Sequence, residues 1–396
     1  MSVERLTARL PGPRRAAFLP FGQPDIRDED IAEVVDTLHS GWLGTGPKTK
    51  RFEAAFAEYV GAAHAVGLNS CTAALHLALL GLGVGPGDEV ITSAMTFAAT
   101  VNVILHVGAK PVIVDIDPLS QNVDPGVIER AIGPATRAIL PVHMAGRPCD
   151  MVALARLAED HDLFLIDDAA HAAEARWGEH RIGSIGRASA FSFYVTKNIV
   201  TGEGGMLTTS DDALADDARI RSLHGMSRDA WKRYSSAGFQ PYDVVLPGWK
   251  YNMTDMQAAL GLHQLARVES NLHRREEVWG RYDEAFVGHP LLSVPAPFED
   301  GRHARHLYTL QLDIDRAPCD RDELVDRLRQ LNIGSGVHFV GVQRHTYFRE
   351  HLGLRPADYP NAERVSERTI SLPLSSRLTD ADVEDVIWAV QTSLEA

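Results

Sequence analysis

The chain has 396 residues, 45% of them hydrophobic and 23% charged, with a formal net charge of −14. That is enough length for two domains sharing an extensive core, in an ordinary globular composition. The acidic balance excludes a general nucleic-acid binder, which needs a basic surface, but not a small anion held by a local nest of amides and one lysine.

In chain order, residues 1–17 are Arg-rich, with Pro11 and Pro13 and no apolar h-region, and read as a flexible tail rather than a signal peptide. Residues 28–40 and 48–60 read as amphipathic helices around the turn Gly41-Trp42-Leu43-Gly44-Thr45-Gly46-Pro47. From 64 to 210, short apolar runs alternate with helical stretches, the pattern of a parallel sheet with crossover helices. Strands are predicted at Ala65–Leu68, Glu89–Thr92, Lys110–Val114, Ala138–Pro141, Leu163–Ile166, Ala190–Phe193 and Gly205–Thr209, with helices at 72–82, 96–107, 124–132, 150–160 and 211–223. An aromatic, loop-like stretch over 227–250 carries Trp231, Tyr234, Phe239, Tyr242 and Trp249, and one long helix is predicted from Thr254 to Val287. Pro290, Pro295 and Pro297 then mark a change of character. The expected architecture is α/β: a seven-stranded, mostly parallel sheet with helices on both faces over 18–265, and a smaller C-terminal α+β domain over 266–396. Cys71, Cys149 and Cys319 have no metal-ligand or redox spacing, and no apolar run reaches membrane-spanning length, so a cytoplasmic protein without a membrane partner is expected.

Lys197 is the most informative residue. The run Ala190-Phe191-Ser192-Phe193-Tyr194-Val195-Thr196-Lys197-Asn198, followed by Thr201-Gly202-Glu203-Gly204-Gly205, sets one lysine between an apolar stretch and a glycine turn. Desolvation there lowers the amine's pKa and makes it a nucleophile toward carbonyls. An isolated lysine of this kind is more commonly a surface residue at a strand end. Asn69-Ser70-Cys71-Thr72 follows a strand and opens a helix, which makes a phosphate seat with the Thr72 hydroxyl or, equally, an ordinary N-cap. Leu163 to Asp168 is a buried strand ending in two carboxylates at the ligand-binding edge of a parallel sheet. Asp168 there can keep the pyridine nitrogen of a cofactor protonated. If the chain turns helical afterwards, His171 shares its face; a helix cap with a core histidine is the alternative. Ser192 can reach the same phosphate, and Phe97 can lie on a cofactor ring or belong to the core. No His or Cys cluster completes a metal site.

Five segments occur in order: Ser70-Cys71-Thr72-Ala73-Ala74-Leu75, Gly85-Pro86-Gly87-Asp88-Glu89-Val90, Asp167-Asp168-Ala169-Ala170-His171, Phe191-Ser192-Phe193 with Lys197, and Asn252-Met253-Thr254-Asp255. Together they resemble the DegT-type family of pyridoxal phosphate-dependent nucleotide-sugar aminotransferases, of fold type I, over nearly the whole chain. The resemblance implies that Lys197 binds pyridoxal phosphate covalently and shuttles the proton. It implies that Asp168 pairs with the pyridine nitrogen, that His171 sits near the ring and that Phe97 stacks on it. Thr72, the amide of Ala73 and Ser192 would hold the phosphate. Asn252 would reach in from the second subunit of a homodimer with shared active sites. L-glutamate would be the donor, a nucleotide sugar the acceptor, and pyridoxamine phosphate the amine-carrying form between half-reactions.

Two residues depart from the family pattern: Cys71 stands where Gly or Ala is usual, and Asp167 where Glu is usual. Gly41 to Pro47, Pro247 to Asn252 and Gly336 to Phe339 are similar to segments of enzymes making 4-amino sugars, especially from UDP-4-keto-pentose. This places Lys250, His338 and the loop 227–250 near the sugar nucleotide, with surface-loop and domain-packing roles as the alternative. Amination at C3, and a non-catalytic cofactor-binding regulator, remain competing readings. A sugar dehydratase of the same family would carry histidine at the lysine position, and Lys197 argues against it. The Ala-, Arg- and Asp-rich composition fits a GC-rich genome and sugars for secondary metabolites.

Overall fold

The computed structural model describes residues 10–227 and 243–395; Trp231, Tyr234, Phe239 and Tyr242 lie outside the described residues. Within the expected N-terminal tail, residues 10–17 pack against the chain's last helix. Arg15 pairs with Asp382 at 2.8 Å and Arg14 lies 4.5 Å over the Trp388 ring, so basic residues meet an acidic, aromatic helix.

The first two helices, α1 (Asp28–Ser40) and α2 (Pro47–Val60), both end on left-handed glycines. The N-terminus of α2 is closed from a distance. The Asp255 carboxylate accepts the amides of Gly46, Lys48 and Thr49 at 2.8, 3.0 and 2.9 Å, and the Thr49 hydroxyl at 2.7 Å. A negative charge there satisfies orphan donors and complements the helix dipole. Asp255→Ala leaves those buried amides without an acceptor and is expected to cost about 3 kcal/mol of stability, read as a lower midpoint in chemical denaturation.

Strands and helices then alternate through β1 (His64–Leu68), α3 (Cys71–Gly81), β2 (Glu89–Ser93), α4 (Ala98–His106), β3 (Lys110–Val114), α5 (Pro125–Ala131), β4 (Thr136–Leu140), α6 (Met151–Asp160) and β5 (Phe164–Asp168). Two short strands, β6 (Arg176–Trp177) and β7 (His180–Arg181), precede β8 (Ala188–Ser192), β9 (Gly205–Thr209) and α7 (Asp212–Ser222). The seven-stranded sheet has the order β1-β9-β8-β5-β4-β2-β3. Pairs from β3 through β8 are parallel, whereas β9 is antiparallel to both β8 and β1. The reason is the connection: β8 reaches β9 through a loop without a crossover helix, and such a return pairs antiparallel. That loop carries Lys197. Strand residues alternate between two cores. Ile139, Leu165 and Phe191 join Phe52 and Phe56 on one face, while Leu140, Ile166 and Ala190 join Leu75 and Leu77 on the other.

The long helix predicted from Thr254 is two, α8 (Asp255–Ala266) and α9 (Val268–Phe286). The break falls at Arg267, with φ −111° and ψ 12°, where the guanidinium turns inward to Asp30 (3.0 Å) and the Asp25 carbonyl (2.9 Å). Beyond α9 come β10 (Leu292–Ser293), β11 (Gly301–Arg302), β12 (Tyr308–Leu312), α10 (Arg321–Gln330), α11 (Thr346–Leu352), α12 (Pro360–Arg368), β13 (Thr369–Leu372) and α13 (Asp380–Glu395). β10, β12 and β13 form an antiparallel sheet around a core of Trp279, Tyr282, Phe286, Tyr308 and Val386. Among the described residues no helix is long and apolar enough to cross a membrane.

Candidate active site

The parallel strands deliver their carboxyl ends to one cavity of about 390 Å³. Asp168 ends β5, Ser192 ends β8, and Phe97 precedes α4 just beyond β2. Thr72, Phe97, Asp168, His171, Ser192 and Lys197 all line this cavity. Ala73 and Asn252 do not.

At the floor, Ser70 caps α3, its hydroxyl accepting the Ala73 amide at 3.1 Å. The Ala73 amide is thereby engaged, and the first-turn donors without an intrahelical acceptor are those of Cys71 and Thr72. The helix dipole adds positive character at the same spot. Gly205 lets β9 start against this turn, since a Cβ there would stand 2.2 Å from the Ser70 carbonyl carbon.

Strand alternation separates the two carboxylates. Asp168 faces the cavity, accepting from the Thr100 hydroxyl (2.8 Å) and the Ala170 amide (3.1 Å). Burial pushes its carboxyl pKa up, against the pull of Thr100 and Ala170. Asp167 points the other way, accepting from Ser189 Oγ at 2.8 Å and lying 3.3 Å from His143 Nε2. No local pattern singles out His143.

Lys197 sits in the loop after β8, fixed by its amide donating to the Tyr194 carbonyl at 2.9 Å. Burial pushes its amine down to about 8, with Asp168 and Cys71 pulling it back up. The neutral, nucleophilic amine is therefore gained as pH rises through about 8, well below an ordinary lysine. Modification of Lys197 in the cofactor-free protein by an amine-selective reagent is expected to follow that midpoint, measured by peptide mass spectrometry.

The far wall is aromatic. Phe97 is 62% exposed, its ring 5.9 Å from that of Phe339. The His171 ring lies 5.7 Å from Phe339 and 4.4 Å from His306, and its Nδ1 is buried without a hydrogen-bond partner among the described residues. Burial, then Lys197, hold His171 well below the usual histidine range, so it is neutral. His338 bonds Ser371 Oγ at 2.9 Å, stacks 5.1 Å from Phe21, and is pushed down to about 4 by burial and Lys197. His306 and Phe21 also line the cavity, although both come from segments remote from the sequence motifs and carry no local signal.

Asn252 stands outside the cavity, donating to Thr45 Oγ1 at 2.7 Å and accepting from Lys250 Nζ at 2.7 Å. Among the described residues there is no group of three or more His, Cys, Asp or Glu able to hold a metal ion.

A lowered-pKa amine, a buried carboxylate, an anion seat at a helix N-terminus and an exposed ring suit a phosphorylated pyridine aldehyde. The unpartnered His171 Nδ1 and the close approach that only glycine permits at 205 are further marks of a site shaped for such a ligand. The fold and cavity define a pyridoxal phosphate-dependent aminotransferase of fold type I. The chain belongs to the DegT/DnrJ/EryC1/StrS aminotransferase family, whose model matches residues 24–391.

It is 53% identical over 379 residues to the spore coat polysaccharide biosynthesis protein SpsC of Bacillus subtilis (strain 168), covering 96% of this chain and 97% of SpsC. Spr1654 of Streptococcus pneumoniae, solved in its PLP form, superposes with a TM-score of 0.87 at 37% identity, over 96% of this chain and 99% of that one. Helicobacter pylori PseC, an aminotransferase involved in the biosynthesis of pseudoaminic acid, gives a TM-score of 0.88 at 28% identity, over 96% and 99% of the two chains.

Proposed function

We propose that this protein moves an amino group from L-glutamate to the 4-keto carbon of a UDP- or dTDP-linked pentose or deoxyhexose. The observation that carries the reading is Lys197, with its amine lowered to about 8, in one cavity with Asp168 and the Cys71–Thr72 helix start. Sugar chemistry is supported by the likeness to SpsC and PseC, and the 4-position by the segment Gly336 to Phe339, whose His338 and Phe339 line the cavity.

When bound, pyridoxal phosphate supplies a reactive aldehyde and a ring that withdraws electrons from the bond being broken. Lys197 Nζ takes the Cα proton from the amino acid in one half-reaction and returns a proton to the sugar carbon in the other. Asp168 holds the ring nitrogen protonated. Thr72 and Ser192 hydroxyls, with the Cys71 and Thr72 amides, hold the phosphate. For the Ala73 amide to join them it must leave the Ser70 cap. Phe97 and His171 would flank the ring, and neutral His171 would add no competing charge.

The same reading includes a cytoplasmic homodimer in which Asn252 completes the partner's site. Its place outside its own cavity supports this, as does an exposed apolar row on α1: Ile31 at 53%, Val35 at 42% and Leu38 at 54%. It also divides the chain near residue 265, where α8 gives way to α9 and a separate core begins. Purified protein with pyridoxal phosphate, L-glutamate and keto sugars on either nucleotide tests the reading, with NMR locating the new amine. Nitrogen on C4 supports it; nitrogen on C3 replaces it with the 3-keto alternative.

A further inference from the structure

Beside Lys197 lies a polar chain that the mechanism above does not use. Asn198 donates from Nδ2 to Glu174 Oε2 at 2.7 Å and to the Ala304 carbonyl at 3.0 Å. Glu174 is held in turn by a buried ion pair with Arg275, which also bonds the Arg305 carbonyl at 3.1 Å. With both acceptors fixed on the amide nitrogen, the side of Asn198 facing His306 is Oδ1, 2.9 Å from Nδ1. An amide oxygen only accepts, so His306 Nδ1 carries the hydrogen. In a neutral ring the lone pair is then on Nε2. No described residue donates to that atom, and His306 lines the cavity. The cation is disfavoured by burial, and then by Lys197 and the neighbouring His338, Arg275 and His303.

We propose that His306 is a hydrogen-bond acceptor for a hydroxyl of the sugar substrate, with Asn198 the positioning residue that fixes its tautomer. The inference rests on the sugar-amination reading. A neutral imidazole lone pair attracts a hydroxyl and repels a carboxylate. The sugar brings hydroxyls to this wall, whereas the amino-acid donor brings carboxylates, so His306 acts in one half-reaction more than in the other. Glu174, Arg275 and Asn198 set the ring's orientation without touching substrate.

The test measures each half-reaction separately in His306→Phe, which keeps a flat ring and removes the acceptor. The sugar half-reaction is expected to lose at least about tenfold more than the glutamate half-reaction, mostly in KM. Equal losses in both, or a loss concentrated on glutamate, overturn the proposal. If wild-type protein reacts with neither substrate, the aminotransferase reading itself falls.

Two further measurements stand apart from that variant. In ¹⁵N-histidine-labelled, cofactor-free protein, the His306 ring is expected to show a protonated Nδ1 and a bare Nε2; the reverse tautomer overturns the proposal. Asn198→Ala removes the acceptor that fixes the hydrogen on Nδ1 and so frees the tautomer. The sugar half-reaction is expected to lose more than the glutamate half-reaction in this variant too, and equal losses in both also overturn the proposal.

Discussion

Lys197→Ala is expected to lower turnover by roughly 10⁴-fold or more while leaving the fold intact. In the proposed mechanism the lysine is both the covalent anchor and the group that moves the proton in both half-reactions, so its loss removes two functions at once. Its side chain stands at a cavity wall rather than in either core flanking the main sheet. The thermal midpoint of the cofactor-free variant should therefore stay close to wild type. Steady-state assay with a coupled glutamate readout checks the rate. A variant that keeps a near-wild-type rate would remove Lys197 from the chemistry altogether.

Asp168→Asn is expected to cost roughly 10³-fold in turnover. The amide is isosteric and can still accept from Thr100 or Ala170, but it could not hold a proton on a pyridine nitrogen in the role proposed for Asp168, and the ring would lose its electron-withdrawing form. Asp167→Asn provides the contrast. Asp167 lies on the opposite face of β5, bonded to Ser189 and beside His143, and touches nothing in the cavity. Its replacement should lower stability and change turnover by less than about tenfold. Comparing the two variants by rate and by denaturation midpoint separates the carboxylate that serves chemistry from the one that serves the core.

Much of this was legible because the relevant physics is local. Short apolar runs bounded by turns, such as the fully buried Gly205–Thr209 and the partly buried edge run Lys110–Val114, read as strands and fold as strands. The Asn69-Ser70-Cys71 turn and the glycine run after Lys197 likewise depend on neighbours a few residues away. Long-range contacts were not legible. The expected helix from Thr254 breaks at Arg267 because its partners, Asp25 and Asp30, come from the other end of the chain. The sequence expectation for Ala73 is a phosphate contact through its amide; in the fold Ser70 caps that amide, and the same turn residues serve either use. His306 and Phe21 carry no local pattern. They belong to the cavity wall only because β12 and the segment before α1 fold over the carboxyl ends of the sheet.

The central claim is that nitrogen travels from an amino acid to a sugar ketone through the Lys197 cavity. Incubation with pyridoxal phosphate, ¹⁵N-L-glutamate and a nucleotide-linked 4-keto sugar, followed by mass spectrometry of the sugar nucleotide, tests it most directly. The account predicts a product in which the keto oxygen is replaced by a ¹⁵N amine, formed by wild-type protein and not by Lys197→Ala. Unlabelled sugar recovered from wild-type protein across both nucleotides and both sugar classes, while glutamate is still converted to its oxo acid, would contradict it.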